Sequence, residues 1–274
     1  MILKIQQKIN YDINGIVNFG YNKLILTPQN DDNQIIRFWD ISIEGGKKEL
    51  SSSDHFGNLV DLVSIESNST KIKYDVVGEI ETKNTSGITK TTKQDLPLWC
   101  YTSDTKLTKP GNNIFSFYKK NPLDFSDLIK NLHALSNKIK TSVKYKSGKT
   151  DYKTNAEEAF RNKVGVCQDH THIFLSILRL NNLPCRYVSG FFLPKNKNQN
   201  LAMHAWAEVF VEDLGWIGFD ISNGVSPDDS YVVIAKGFDY NNIAPVRGVI
   251  NGCLLYTSDA ADDLLCVDLG GRRI

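Results

Sequence analysis

The sequence predicts an α+β protein in which an all-β N-terminal domain precedes a core with a helical part and an antiparallel β-sheet. Short apolar and β-branched runs, separated by turn residues, fill the chain up to about residue 105. Apolar residues then recur at helical spacing between residues 126 and 180. Alternating runs return between residues 186 and 236, as is typical of antiparallel strands.

The N-terminal domain is predicted over residues 1–105. Turn signals such as Asn14-Gly15 and Gly45-Gly46 separate its strands. The expected strands are Ile2–Ile9, Asn22–Thr27, Ile35–Glu44, Leu59–Ser64 and Lys71–Glu81. This spacing favours a sandwich or a barrel-like domain. The segment Trp99–Asn113 is expected to be a loop-rich linker.

The core is predicted over residues 106–252. Apolar side chains on one face predict a helix over Ser126–Thr141. The pattern Thr154-x-x-Glu157 has the form of a capping box and predicts a second helix over Ala156–Asn162. Gly165 interrupts this periodicity, and a third helix follows that ends before Pro184. The expected strands of the core are Arg186–Leu193, His204–Phe210, Trp216–Ile221 and Tyr231–Lys236.

Cys167 lies in or just before the first turn of this third helix. There, free backbone N–H groups and the positive end of the helix dipole favour a thiolate and could bind a developing oxyanion. A single cysteine in an apolar helix is more often packing than a nucleophile. His204 and Asp220 change this balance, because a histidine can take the thiol proton and an acid can orient the imidazole.

His204 and Asp220 lie on two alternating runs joined by Glu212–Gly215, a segment of hairpin length. Such a hairpin places residues 204 and 220 opposite each other or about two positions out of register. Cross-strand or diagonal neighbours are roughly 5–8 Å apart. We therefore expect an imidazole–carboxylate hydrogen bond between them.

These residues belong to a series of motifs that resembles the transglutaminase-like superfamily, and specifically bacterial proteins with a β-rich N-terminal region before a papain-like core. The motifs are G-V-C-Q-D-H from Gly165, L-P-C-R-Y-V-S-G from Leu183, H-A-W-A-E from His204, G-W-I-G-F-D from Gly215 and A-P-V-R-G-V from Ala244. Shorter matches begin at Lys23 and Asp54. The resemblance implies a papain/transglutaminase-like core. Carried over by position, it makes Cys167 the nucleophile, His204 the base and Asp220 the orienting acid.

The residues after the acid depart from the family pattern. Ile221-Ser222 stands where the family usually has a proline and a small residue. This departure concerns the local backbone turn and leaves the acid itself in place.

Gln168, Trp206 and Trp216 are weaker candidates for contact with substrate. Helix capping is the simpler role for Gln168, and aromatic packing in a half-buried sheet explains both tryptophans equally well. Glu208 lies on the same strand face as His204, so it could support the site or be an exposed carboxylate at a sheet edge.

A metal site is the less favoured interpretation of the histidines. His170 and His172 could join Cys167 and His204 as ligands, but residues 167 and 172 point about 140° apart on a helix. Packing beside the nucleophile and a hydrogen-bonded core position are the simpler roles for His170 and His172. We expect neither a metal nor a cofactor.

Composition favours a soluble protein whose partner is a peptide or protein amide substrate. The formal charge is +1 with both signs mixed along the chain, so a nucleic-acid partner is not expected. No run of 18 apolar residues indicates a membrane span, and M-I-L-K-I-Q-Q-K-I-N is read as a strand and not as a signal peptide. Five cysteines without framework spacing, one of them a candidate nucleophile, favour the cytoplasm. No feature indicates an oligomeric state.

Two function classes remain open. The first is a cysteine-dependent amide hydrolase, of peptidase or amidase type, or an acyl transferase that works through a thioester. The second is a non-catalytic module that binds a peptide or protein. The complete trio of Cys167, His204 and Asp220 favours an enzyme, since binding alone does not require all three. Neither the polar loop Lys195–Asn200 nor the surroundings of Trp206 clearly provide an apolar amine channel, so hydrolysis is favoured over transfer.

Residues 253–274 resemble translated read-through of sequencing-library adapters. Two such blocks follow each other, beginning at Cys253 and Cys266. We expect this tail to be artefactual and unpacked, and the natural C-terminal sequence beyond about residue 252 to be missing. A genuine acidic tail is the alternative.

Overall fold

The structure is a computed structural model that describes residues 1–13, 15–90, 96–193 and 203–254. The chain divides into two compact units. Met1–Thr82 forms one unit with the segment that begins at Ala244, and Lys83–Ile243 forms the other. The first unit is all-β and the second mixes helices with strands, which confirms the predicted α+β class. Most of the artefactual tail predicted from the sequence lies outside the described residues.

The first unit consists of two antiparallel sheets. Its strands are β1 (Ile2–Asp12), β2 (Gly15–Thr27), β3 (Gln34–Glu44), β4 (Gly46–Ser53), β5 (Leu59–Ile65), β6 (Lys71–Thr82) and β14 (Val246–Leu254). One sheet has the order β1-β6-β3 and the other β14-β2-β5-β4. Alternate residues of β6, among them Ile72, Tyr74 and Val76, are buried. Asn22 of the second sheet donates a hydrogen bond to the Tyr74 hydroxyl of the first, so the buried faces meet in a sandwich.

The bounds of the two units differ from the domain boundaries predicted at residues 105 and 252. A short strand, β7 (Ile88–Thr89), pairs with Trp216 and Ile217 of the second unit, so the division lies at Thr82. The last strand, β14, pairs with β2 and belongs to the first unit. It also includes Cys253 and Leu254, the first two residues of the predicted tail.

The helical part of the second unit contains two 3₁₀ turns, at Leu98–Thr102 and Phe125–Asp127. Its helices are α1 (Asn112–Lys120), α2 (Leu128–Ser142), α3 (Ala156–Asn162), α4 (Cys167–Leu180) and α5 (Tyr240–Ile243). The helix α4 is buried along almost its whole length. No helix in the described part of the chain is long and apolar enough to cross a membrane.

The capping box of α3 lies one residue later than predicted. Asn155 accepts a hydrogen bond from the Glu158 N–H, and the Glu158 carboxylate accepts one from the Asn155 N–H. Glu157, which the sequence pattern placed in this box, instead accepts hydrogen bonds from the backbone of Gly111 and Ile114 at the start of α1. One carboxylate therefore links α3 to the beginning of α1. The sequence did not predict α1, and the first two residues of this helix lie in the predicted linker.

The sheet of the second unit has five antiparallel strands in the order β13-β10-β11-β12-β7. Its remaining strands are β10 (Cys185–Phe192), β11 (Met203–Val211), β12 (Gly215–Phe219) and β13 (Tyr231–Gly237). Two further strands, β8 (Lys144–Tyr145) and β9 (Val164–Gly165), form a short parallel pair beside the start of α4.

Candidate active site

Cys167 is the first residue of α4 and is only 6% exposed. The turn that leads to it is fixed by Asp169, whose Oδ2 accepts hydrogen bonds from the Val166 N–H at 2.8 Å and the Thr150 hydroxyl at 2.7 Å. Gly165 is required here, since a Cβ would lie 2.6 Å from the Asp169 Cβ. The first N–H groups of a helix have no partner within it, so the Cys167 N–H is available beside the sulfur.

Burial raises the pKa of Asp169 to about 6, although its hydrogen bonds with Thr150 and Val166 oppose that rise. Its Oδ1 is buried and has no hydrogen-bond partner among the described residues. Asp169 therefore acts on the site through the shape of the turn that carries Cys167.

His204 and Asp220 are joined by a hydrogen bond. The hairpin of β11 and β12 pairs Ala207 with Phe219, so Asp220 lies diagonally across from His204. His204 Nε2 is 2.7 Å from Asp220 Oδ2, and the two side chains are 12% and 0% exposed. The expected imidazole–carboxylate contact is thus present.

Asp220 is held by two residues that the sequence did not indicate. Its Oδ2 also accepts hydrogen bonds from the Tyr231 hydroxyl at 2.7 Å and from Asn223 Nδ2 at 2.6 Å. Its Oδ1 accepts a third from the Asn223 N–H at 3.1 Å. Burial would raise the pKa of Asp220, but hydrogen bonds and the His204 charge hold it below the ordinary value. The carboxylate is therefore charged at neutral pH.

His204 is protonated at neutral pH. Burial disfavours the imidazolium, but hydrogen bonds to Asp220 and Cys167 and their negative charges raise the pKa of His204 to about 10. Because Nε2 is bonded to Asp220, Nδ1 is the ring nitrogen that remains for the Cys167 sulfur. The imidazolium is positioned to stabilise a thiolate on one side while the carboxylate orients it from the other.

The two tryptophans named from the sequence are buried. Trp206 is 1% exposed, and its ring lies 6.3 Å from the His204 ring at an interplanar angle of 30°. Trp216 is 0% exposed, and the Arg186 guanidinium lies 4.0 Å from the centroid of the Trp216 ring. These positions favour packing: Trp206 supports the imidazole, and Trp216 supports the sheet. Gln168 follows Cys167 and is half-buried, and its role in substrate contact stays a prediction.

Glu208 forms a buried ion pair with Arg186. The Arg186 Nε and Glu208 Oε2 are 2.6 Å apart, and both side chains are almost fully enclosed. Glu208 is thus neither an exposed edge carboxylate nor a partner of His204 in the described contacts.

His170 connects α4 to the loop after Asp220. Its Nε2 is 2.9 Å from the Val143 carbonyl, and its Nδ1 is 2.9 Å from the Ser222 hydroxyl. Because a carbonyl can only accept, Nε2 carries the proton and Nδ1 accepts from Ser222. Burial lowers the pKa of His170, which favours this neutral form. Ser222, at the position that departs from the family pattern, therefore ties the loop of Asp220 to α4.

His172 is a core residue. Its Nε2 accepts a hydrogen bond from the Tyr240 N–H at 3.3 Å, and burial lowers its pKa to about 3. Within the described residues, no group of three or more His, Cys, Asp or Glu side chains is arranged to hold a metal ion.

Two family models match the chain. Residues 123–221 match the transglutaminase-like superfamily, and residues 3–81 match the bacterial transglutaminase-like N-terminal region. An uncharacterized protein of Mycobacterium tuberculosis is 27% identical over 286 residues, which cover 90% of this chain and 87% of the relative. An uncharacterized protein of Mycobacterium leprae is 23% identical over 270 residues, covering 91% and 93%.

A solved structure shares the fold. A protein described as a candidate cysteine protease from Cytophaga hutchinsonii superposes with a TM-score of 0.70 at 20% identity, covering 95% of this chain and 93% of that one. The superfamily match supports a cysteine-dependent enzyme. The two matches show a transglutaminase-like core preceded by a bacterial transglutaminase-like N-terminal region.

Proposed function

We propose that this protein is a cysteine-dependent hydrolase of peptide or isopeptide amides. One observation carries the proposal: His204 is hydrogen-bonded to Asp220 at 2.7 Å, and Cys167, at the first position of α4, is near enough to help raise the pKa of His204. The proposal assigns these three side chains, which come from three elements, the roles of nucleophile, proton carrier and orienting acid. A binding module would not require this arrangement.

The proposed reaction has two steps. The Cys167 thiolate attacks the amide carbonyl, and His204 donates its proton to the leaving amine as the carbon–nitrogen bond breaks. The product is a thioester on Cys167 and a neutral imidazole. Water then attacks the thioester, His204 takes its proton, and the carboxylic acid leaves as the thiolate is regenerated.

The buried tryptophans support hydrolysis over amine transfer. Transfer requires a site that concentrates an amine and excludes water. Trp206 and Trp216, the aromatic candidates for substrate contact, are both almost fully buried against other side chains, so neither is available to line such a site. Water is therefore the proposed acyl acceptor.

A peptide library tests this function. We expect cleaved or deamidated peptides from the wild-type protein, with or without an added primary amine, and none from Cys167→Ala. Cys100→Ala is the matched control, since Cys100 is another free thiol and lies outside this site. Equal turnover by Cys167→Ala would refute the cysteine mechanism. A majority of amine-conjugated products would refute hydrolysis but not the thioester.

We also propose a cytoplasmic location. Cys100, Cys167 and Cys185 are free thiols, which supports a reducing compartment that would keep the nucleophile active.

A further inference from the structure

A pocket of about 580 Å³ lies where α2 and α3 end beside the short strands β8 and β9. The residues that line it include Lys144, Phe160, Asn162, Lys163 and Val164. Lys144 pairs with Val164 in the parallel ladder, and the Lys144 N–H donates a hydrogen bond to the Lys163 carbonyl at 2.9 Å. The backbone therefore fixes the positions of the two lysines that line this pocket.

The side chains of this pocket suit a carboxylate on a short apolar stem. Lys144 and Lys163 are exposed, and neither has an ion-pair partner among the residues that the structure describes. An ammonium group offers three N–H donors and no acceptor, and the exposed Asn162 adds an amide. The half-buried Phe160 ring packs 5.0 Å from the Phe117 ring and provides an apolar surface. A glutamate matches both parts, since its carboxylate only accepts hydrogen bonds and its methylene groups are apolar.

The surface around the pocket is strongly basic. Residues 138–163 contain eight Lys or Arg residues and three Asp or Glu residues, although the whole chain has a formal charge of only +1. All eight basic residues are exposed. They come from the end of α2, from β8 and the loop after it, and from α3 and the residue that follows it. The rest of the chain is therefore net acidic, and the positive charge is concentrated at this surface.

The three acidic side chains of this segment are engaged elsewhere. Asp151 accepts hydrogen bonds from the N–H groups of Lys153 and Thr154. Glu157 and Glu158 accept hydrogen bonds at the starts of α1 and α3, where they interact with the positive ends of these helices. The ends of α2 and α3 at the pocket carry about half a negative charge each, which reduces the charge of the basic residues without cancelling it.

The strand β9 connects this pocket to the candidate nucleophile. It begins at Val164, which lines the pocket, and Cys167 follows three residues later. Three residues of extended chain span at most about 10 Å. An extended peptide whose amide lies at Cys167 therefore brings a side chain about two to four residues away within reach of the pocket.

We propose that this pocket and the basic residues around it bind an acidic segment of the substrate, with Asp or Glu within about four residues of the reacting amide. This inference rests on the proposed function and adds a substrate class to it. A peptide fits this surface better than a nucleic acid does, because the pocket adjoins a cysteine proposed to attack an amide.

Two labelled peptide libraries test the inference without relying on turnover. Both have randomised central positions that include Gln and Asn, and the flanks carry three glutamates in one library and three serines in the other. Fluorescence anisotropy measures their binding to Cys167→Ala, which lacks the thiol and retains the pocket. We expect the glutamate library to bind about three- to tenfold more tightly, as a few exposed charge pairs would provide. This difference should disappear near 1 M salt, where the Debye length falls to about 3 Å.

Replacing both pocket lysines tests where the acidic flanks bind. Lys144→Gln/Lys163→Gln, made in the Cys167→Ala protein, should remove most of the preference for glutamate. Lys4→Gln/Lys8→Gln is the matched control, since it makes the same charge change at two exposed positions of β1. If neither library is preferred, or if both double variants lose the preference equally, the inference is wrong. Labelled single-stranded DNA that binds as tightly as the glutamate library, with the same dependence on Lys144 and Lys163, would also overturn it in favour of a nucleic-acid site.

Turnover by the wild-type protein separates this inference from the proposed function. Mass spectrometry should find the glutamate library cleaved or deamidated with a lower KM than the serine library and a similar kcat. If neither library is turned over while Cys167→Ala still prefers the glutamate library, the hydrolase function is refuted and the acidic-peptide site stands. If both libraries are turned over with equal kcat/KM, the hydrolase function stands and the acidic substrate class is refuted.

Discussion

Replacing Asp220 with asparagine should lower the pKa of His204 and leave the fold of the site in place. The amide preserves the size of the side chain and most of its hydrogen-bonding positions. It removes the negative charge 2.7 Å from His204 Nε2. Asp220 and Cys167 are the two groups that raise the pKa of His204 most, and only Cys167 would remain as a charged partner.

The size of the effect follows from the surroundings of His204. The rise of its pKa from 6.5 to about 10 occurs despite burial. An opposite charge within about 4–6 Å typically shifts a pKa by about 1–3 units. We therefore expect His204 of Asp220→Asn to titrate below wild-type His204 by about 1–3 units.

NMR titration of ¹³C-labelled histidine measures this directly, because the chain has only five histidines. The His204 signal can be assigned by its loss in His204→Gln. Asp213→Asn is the control, since it makes the same charge change at the exposed turn of the same hairpin. A wild-type His204 that titrates near 6.5, or a midpoint unmoved by Asp220→Asn, would contradict the charge arrangement described for this site.

Three further predictions concern reactivity and stability. Cys167 should be alkylated by iodoacetamide before Cys100 and Cys185 near neutral pH, because His204 lies beside Cys167. If mass spectrometry finds Cys100 or Cys185 modified first, Cys167 is not the nucleophile. Since the folded-state pKa of His204 is raised, its stabilising contribution is complete below about pH 6.5 and is lost as the pH rises toward about 10. The urea midpoint of the wild-type protein should fall over that interval more steeply than that of His204→Gln, and parallel curves would exclude the contribution. Glu208→Gln should lower the free energy of unfolding by about 3–5 kcal/mol, because it leaves the Arg186 charge buried without its partner. Glu81→Gln breaks an exposed ion pair with Arg37 and should change the free energy of unfolding little. If the two variants lost equal stability, burial would not explain the effect of Glu208→Gln.

Local sequence signals predicted the helices near the nucleophile and much of the sheet. The helix over Ala156–Asn162 has the predicted bounds, because capping residues and apolar spacing both mark it. The strand β4 was missed because its mostly polar sequence shows no alternation and is exposed. The pairing of β14 with β2 was also missed, since it joins residues more than 200 positions apart, and local periodicity carries no information about such partners.

In the site, too, local sequence signals predicted some contacts, and contacts between residues from separate elements were missed. The hairpin length predicted the approach of His204 to Asp220 because turn geometry fixes the register. Asn223 could have been noticed, since Asn223-Gly224 is a turn signal directly after the acid. Tyr231 could not, because it comes from another strand, and only the folded sheet brings it to the site.

Asp220 stays charged although it is buried, because hydrogen bonds stabilise its carboxylate. An isolated carboxylate at 0% exposure would take up a proton and lose its hold on the imidazolium. Tyr231 and Asn223 donate to the same oxygen that faces His204, so the anion is stabilised before any substrate binds. Because His170 ties Ser222 to α4, the loop that carries the acid is fixed relative to the nucleophile. The charges that the proposed reaction requires are therefore set by the folded protein, and the substrate need not reorganise them.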